Sequence, residues 1–158
     1  MATLLKLFFA NKTIQAQFWN AKKYFLFFVF FMSCTWLWAD EMKIKMTVNH
    51  QTFTATLYNN AAAQHLWTML PLNLPMTELN GNEKYHQFRG QSFPTQSSII
   101  QDIHRGDLMI FGHHYLVVFY KDFHQSAYAY TPIGKIDHPQ NLAHALGKGN
   151  VNIRIEKQ

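Results

Sequence analysis

The 158-residue chain has one cysteine, seven glycines and five prolines, and only 15% of its residues are charged. A single thiol cannot close a disulfide within the chain, and with no CxxC pair and no HExxH stretch neither a thiolate zinc cluster nor a zincin site is available. Glycine and proline are too few for a collagen-like chain, and 48% hydrophobic content is too high for a disordered one. Acid is missing altogether from residues 1–39, and so is histidine. The net charge of +5 therefore owes most to Lys6, Lys12, Lys22 and Lys23, because residues 40–158 hold ten Lys/Arg against nine Asp/Glu. No Lys/Arg cluster or RNP-like aromatic motif is present to neutralise several phosphates, so no nucleic-acid partner is expected.

What is there divides at residue 39. Eight of the 14 phenylalanines come before it, and all nine histidines come after. Lys22 and Lys23 precede an uncharged apolar run, Tyr24 to Trp38, followed by Ala39, Asp40 and Glu41. Basic flank, apolar centre, small residue and acid form the order of a secretory signal. The run is shorter than the roughly 17 to 25 residues of a spanning helix. Three processing outcomes stay open: cleavage after Ala39, lipidation of Cys34 in a degenerate lipobox at Phe31-Met32-Ser33-Cys34, or an uncleaved anchor. The expectation is an exported, periplasmic protein, touching the membrane through residues 24–38 if the leader is uncleaved or lipidated. Residues 40–158 form the single folded domain.

Within that domain the dominant period is two. Ile44, Met46 and Val48 share one face of a strand from Lys43, and Phe53, Ala55 and Leu57 share one face of the next, with Asn49-His50-Gln51 as the hairpin between them. Asn59 or Asn60 can cap a helix over Ala61 to Leu70, which Pro71 stops. Further strands are expected at Leu72 to Met76, Lys84 to Phe88, Asp107 to Phe111, Tyr115 to Tyr120, Ser126 to Tyr130 and Val151 to Ile155, with a short helix from Pro139 to Leu146. About eight strands and one or two capping helices predict a mainly β domain, a small closed barrel, expected to be a monomer.

Specific segments then carry a resemblance. Lys43 to Val48, Phe53 to Leu57, Asn80-Gly81-Asn82-Glu83-Lys84-Tyr85, Gly106-Asp107-Leu108-Met109, Phe119-Tyr120, Ile133-Gly134-Lys135-Ile136-Asp137 and Ala145-Leu146-Gly147 together resemble the bacterial cyclophilin-like domain family, in one order over nearly all of residues 42–157. The resemblance implies a cyclophilin-type β-barrel with one or two short helices. True cyclophilins twist X-Pro bonds, whose barrier is about 18 to 20 kcal/mol, with an Arg aimed at the prolyl nitrogen, a Phe pocket and a Gln. Arg89, Phe93 and Gln96 are the corresponding residues, but Phe and Gln follow the Arg by four and seven positions where the enzymes have five and eight. A Gly-rich segment after the Gln and a Trp-containing loop are absent too, and a shared fold does not carry an activity.

Other chemistry is sparse. His104, His113, His114, His124 and His138, with Asp107, Asp122 and Asp137 as partners, read as surface or hydrogen-bonding histidines, and no metal is expected. Glu83 and Tyr85 share a strand face, as solvated edge residues or as a pocket pair, and Tyr115, Tyr120, Tyr128 and Tyr130 with Phe119 can wall an aromatic groove. The expected ligand-binding residues are Glu83, Tyr85, Arg89, Tyr115, Tyr120 and Tyr130, around a small molecule or a peptide. No cofactor is expected, and the reading is a non-catalytic envelope module, with a periplasmic peptidyl-prolyl isomerase as the alternative.

Overall fold

The computed structural model describes residues 41–158. The apolar run 24–38, Cys34 and the processing readings lie outside the described residues.

Strands β1 (Lys43–Val48) and β2 (Gln51–Leu57) form the first hairpin, with Val48 opposite Gln51. Its loop is therefore Asn49-His50 alone, and both residues have positive φ, 45° and 66°. That conformation lets a two-residue turn follow the twist of the strands. Helix α1 (Ala61–Met69) starts at Asn60, whose Oδ1 accepts the Ala63 N–H at 2.9 Å and whose Nδ2 donates to the Pro132 carbonyl at 2.9 Å. One side chain thus caps the helix and ties it to the sheet.

The chain continues through β3 (Leu72–Leu79), β4 (Glu83–Gln87), β5 (Ser98–Ile99), β6 (Asp102–Ile103), β7 (Asp107–Phe111), β8 (Tyr115–Phe119), β9 (Phe123–His124), β10 (Ala129–Ile136), α2 (Leu142–Leu146) and β11 (Val151–Lys157). Eight strands pair antiparallel in the order β2-β1-β11-β3-β4-β8-β7-β10, and β10 pairs back onto β2. This is a closed eight-stranded barrel with two short helices. The stub β5 extends beyond β10, and β6 with β9 forms a separate ribbon. No helix among the described residues is long and apolar enough to cross a membrane.

Several element bounds differ from the expected ones. The strand expected at Ser126 to Tyr130 instead runs from Ala129 to Ile136, through Pro132 and Gly134, with its register shifting between those two residues. The bulge absorbs the missing proline N–H. Residues 127 and 128 are held in a turn by Gln125, whose Oε1 accepts both of their N–H groups at 3.0 and 2.8 Å. β3 likewise runs through Pro75, which is tolerated because pairing to β4 begins only at Thr77. The second helix starts at Leu142, not Pro139: the Leu142 N–H donates to the Pro139 carbonyl at 3.1 Å, closing a tight turn, and the i→i−4 bonding begins with the Ala145 N–H on the Asn141 carbonyl at 3.0 Å.

The barrel interior is filled by Ile44, Met46, Val48, Ala55, Leu74, Leu108, Ile110, Leu116, Val118 and Ile133, closed off by Leu66 of α1 and by Leu142, Ala145 and Leu146 of α2. A second apolar layer covers the outer face of β4-β8-β7-β10. There Met109, Val117, Phe119 and Tyr130 pack with Ile103 and Phe123 of the ribbon. Gly134 sits on the seam that closes the ring, opposite Leu57, where an added Cβ would lie 2.6 Å from the Thr56 carbonyl oxygen. Backbone on one side cannot yield cheaply. Gly134→Ala is expected to cost about 1 to 3 kcal/mol in urea unfolding, whereas Gly149→Ala, with nothing within 4 Å, should stay within about 0.5 kcal/mol.

Candidate functional site

The second apolar layer is not fully covered. Beyond the ribbon, Glu83 and Tyr85 of β4, Tyr115 and Val117 of β8, Phe111 of β7, Tyr130 of β10, and Leu79, Asn80 and Tyr128 line a concavity of about 400 Å3. Cross-strand register assembles it: Tyr85 pairs with Val117, Phe111 with Tyr115, and Tyr130 with Phe111. The rings form a connected wall, with centroids 5.9 Å apart for Tyr85–Tyr115, 6.3 Å for Phe111–Tyr115, 6.0 Å for Phe111–Tyr128 and 5.4 Å for Phe111–Tyr130.

One carboxyl faces this wall. Glu83 is 7% exposed, and no hydrogen-bond or ion-pair partner reaches it among the described residues. Burial, and then the charge of Glu78, push its pKa up to about 7. Tyr130 is pushed up to about 12, by burial first and by Glu83 and Tyr128 next. Neighbouring Lys84 points the other way, into the barrel, and is 0% exposed. Its ammonium donates to Glu78 and, at 2.8 and 2.7 Å, to the carbonyls of Gly147 and Gly149 just past α2. Three donors meet three acceptors, so the buried cation is satisfied.

Of the residues expected to bind ligand, the structure brings Glu83, Tyr85, Tyr115 and Tyr130 around one concavity. Tyr120 is elsewhere, and alternation explains why. Tyr115, Val117 and Phe119 take the outer face, so Tyr120 takes the inner one, where its hydroxyl donates to Glu78 at 2.8 Å. Burial, and then the bond to Glu78, push it up to about 12. Burial of Glu78 itself works upward, but hydrogen bonds from Lys84 and Tyr120, the charge of Lys84 and the Gly81 N–H outweigh it and hold that carboxyl below its usual range. Arg89 is exposed in the segment after β4, outside the concavity. Glu83 is no solvated edge residue, because β4 lies between β3 and β8. Phe111 and Val117 were missed. The signal was there in the unbroken apolar stretches Leu108 to Phe111 and Leu116 to Phe119, which mark strands covered on both faces.

Three of the candidate histidines are ties. His113 Nδ1 lies 2.9 Å from Thr95 Oγ1, His114 Nδ1 2.6 Å from the Gln91 carbonyl and His124 Nδ1 2.9 Å from Asp102. Among the described residues no three His, Cys, Asp or Glu side chains gather as metal ligands would.

The sequence profile of the cyclophilin-like family matches residues 46–156. The chain belongs to the cyclophilin-like family. No curated protein matches it in sequence. Among solved structures it is similar to a cyclophilin-type peptidyl-prolyl cis-trans isomerase of Cryptosporidium parvum, at 11% identity and a TM-score of 0.56 over 75% of this chain and 98% of that one. It is also similar to a hypothetical protein of Archaeoglobus fulgidus, at 14% identity and a TM-score of 0.53 over 75% and 95%. At these identities the likeness is one of fold.

The family's barrel does not bring Arg89, Phe93 and Gln96 together here. Phe93 is 1% exposed and packs against Phe88 and His65, with ring centroids 5.2 and 4.9 Å away. Gln96 lines a different depression, with Asn60, Pro94 and Pro132. None of the three lies in a strand, so face alternation does not apply to this stretch.

Glu83 makes a testable electrostatic signature. An unfolded glutamate titrates near about 4.3, so between that pH and about 7 the folded protein holds a proton that the unfolded chain has released. Its contribution to stability is complete below about pH 4 and is lost as the pH rises through about 7. Urea midpoints at pH 5 and pH 8 should show this fall, and Glu83→Gln should remove the part due to Glu83. Carboxyl 13C titration should place the Glu83 midpoint near 7.

Proposed function

We propose that residues 40–158 are a non-catalytic ligand-binding module of a bacterial cell envelope, exported by the segment before them and acting as a monomer. Its ligand is a small molecule, or a peptide side chain, seated in the concavity of Glu83, Tyr85, Tyr115 and Tyr130. One observation carries this reading: a largely apolar pocket of about 400 Å3 with a single unpaired carboxyl. That is the usual make-up of a small-ligand site, whose volume is roughly 300 to 1,000 Å3 and whose few polar groups orient the guest. Among the described residues no Ser, Cys or His side chain lines it, so neither a Ser–His nor a Cys–His pair is at hand there. The order of Lys22-Lys23, apolar run, Ala39 and Asp40 supports export.

Monocyclic aromatic compounds are expected to raise the melting temperature and to bind with an affinity that Tyr115→Ala weakens about ten-fold, or about 1.4 kcal/mol. Unchanged affinity in that variant would remove the pocket from the reading. The alternative, an isomerase acting through Arg89, Phe93 and Gln96, has less support, and a proline-isomerisation assay should show no acceleration above background for either the native protein or Arg89→Ala.

Export has its own test. Fractionation of cells making the full chain should place it in the envelope. Intact mass then distinguishes an Asp40 terminus, a diacylated Cys34 and an uncleaved leader, while a cytosolic product would overturn export.

A further inference from the structure

Charge around the concavity does not balance. Glu78 has Lys84 as its counter-ion. Glu83, on β4 beside Lys84 but on the opposite face and 93% covered, has none among the described residues. An ionised carboxylate in an apolar setting is costly unless a positive charge accompanies it; no described Lys or Arg lines the concavity, and Lys135, farther along the outer face, is paired with Asp107. Something else also waits for a guest: the hydroxyls of Tyr85, Tyr115, Tyr128 and Tyr130 make no hydrogen bond to another described residue. The rings are inclined to their neighbours by 67°, 51°, 82° and 48°, so they form a box and not a stack. Such a box offers ring faces from several directions, and a ring face attracts a cation held within about 6 Å of its centroid.

We infer that this pocket selects an organic cation, an ammonium group on a small apolar body, with Glu83 as its counter-ion and Tyr85, Phe111, Tyr115, Tyr128 and Tyr130 as its aromatic cage. The inference rests on the ligand-binding reading above and names the class of ligand. A neutral apolar guest would fill the box equally well but leave the carboxyl unpaired. An anionic guest would set a further negative charge beside those of Glu83 and Glu78. A cation answers both the rings and the ionised acid.

Ionisation of Glu83 should accompany binding. Its own pKa is raised to about 7, and a bound cation draws it down, so affinity climbs between pH 6 and pH 8. The groups facing it are Tyr85 on its own strand, Tyr115 on β8, Tyr128 just before β10 and Tyr130 within it, Glu78 on β3 and Tyr120 after β8, with Lys84 turned inward beside it. Of these, Glu78 is held low and Tyr120 and Tyr130 are pushed up to about 12, which leaves them out of that window.

Calorimetry with the full-length chain in a maltoside detergent tests this with three probes of one shape class: benzylammonium, benzyltrimethylammonium and benzyl alcohol. At pH 8 at least one cation should bind ten-fold or more tightly than the alcohol, and the winner tells a primary from a quaternary ammonium ligand. Glu83→Gln, shown to be folded by a native-like circular dichroism spectrum and a cooperative thermal melt, should abolish that preference. Glu83→Asp should restore part of the preference. Equal affinity for all three probes would overturn the cation assignment and leave the ligand-binding reading standing. Binding of none would overturn both.

Discussion

Successive side chains of a pleated strand point to opposite faces, and in β4 that rule separates a cation from an anion. Lys84 goes into the barrel, where Glu78 and two carbonyls at the end of α2 take its three protons. Glu83 goes outward, into an apolar layer without a partner. Had the two been placed two residues apart, they would have neutralised each other and the outer face would have been inert. Because they are adjacent, one is a structural strut and the other a chemically available acid. Titration near neutrality is what makes this tolerable: the free carboxyl takes a proton when nothing else balances it, so no uncompensated charge is forced to stay in the layer.

The same face explains where the site lies. A small barrel normally buries one side of its sheet and shows water the other, but here the quartet β4-β8-β7-β10 is apolar on both. The ribbon of β6 and β9 covers part of the surplus, with Ile103 and Phe123 against Phe119. Gln125 holds the covering loops in place through its main-chain N–H on the Gln101 carbonyl and its side chain on the carbonyls of Ile100 and Tyr128. The concavity is the part of the layer the ribbon does not reach. Its walls are therefore set by sheet register, which is stiffer than a loop, and its rim by Tyr128, a loop residue 57% exposed.

Period two made the barrel legible, because Ile44, Met46 and Val48, or Phe53, Ala55 and Leu57, can only be half-buried strands. It also carried the pairing of Glu83 with Tyr85 on one face. Two kinds of feature escaped. Strands interrupted by proline, such as Leu72–Leu79 and Ala129–Ile136, look broken in sequence, since whether the missing N–H matters depends on which neighbour is paired there. Burial of Glu83 escaped for a related reason: a polar triplet after a glycine turn reads as an edge, and only the topology reveals β4 as an interior strand of a closed ring. Tyr120 was a different kind of miss. Strict alternation from Tyr115 already assigned it to the inner face, and aromatic composition obscured that count.

The fold is shared with a proline isomerase, while in the segment from Arg89 to Gln96 an exposed arginine, a buried phenylalanine and a glutamine lining a separate depression take three different surroundings. The β7–β8 turn grips this segment by its backbone: the Phe88 and Phe93 N–H groups donate to the carbonyls of His114 and His113, each at 2.8 Å. The His114 ring adds another tie. A carbonyl only accepts, so the His114 proton facing Gln91 must sit on Nδ1. Held this closely, the segment turns Phe93 inward among Phe88, His65 and the barrel core, where its ring packs the interior. The aromatic surface that stays open lies elsewhere on the sheet, at Tyr85, Phe111, Tyr115 and Tyr130. A barrel whose outer face is apolar over four strands has more than one place to build a pocket, and which one stays open depends on the loops that cover the rest.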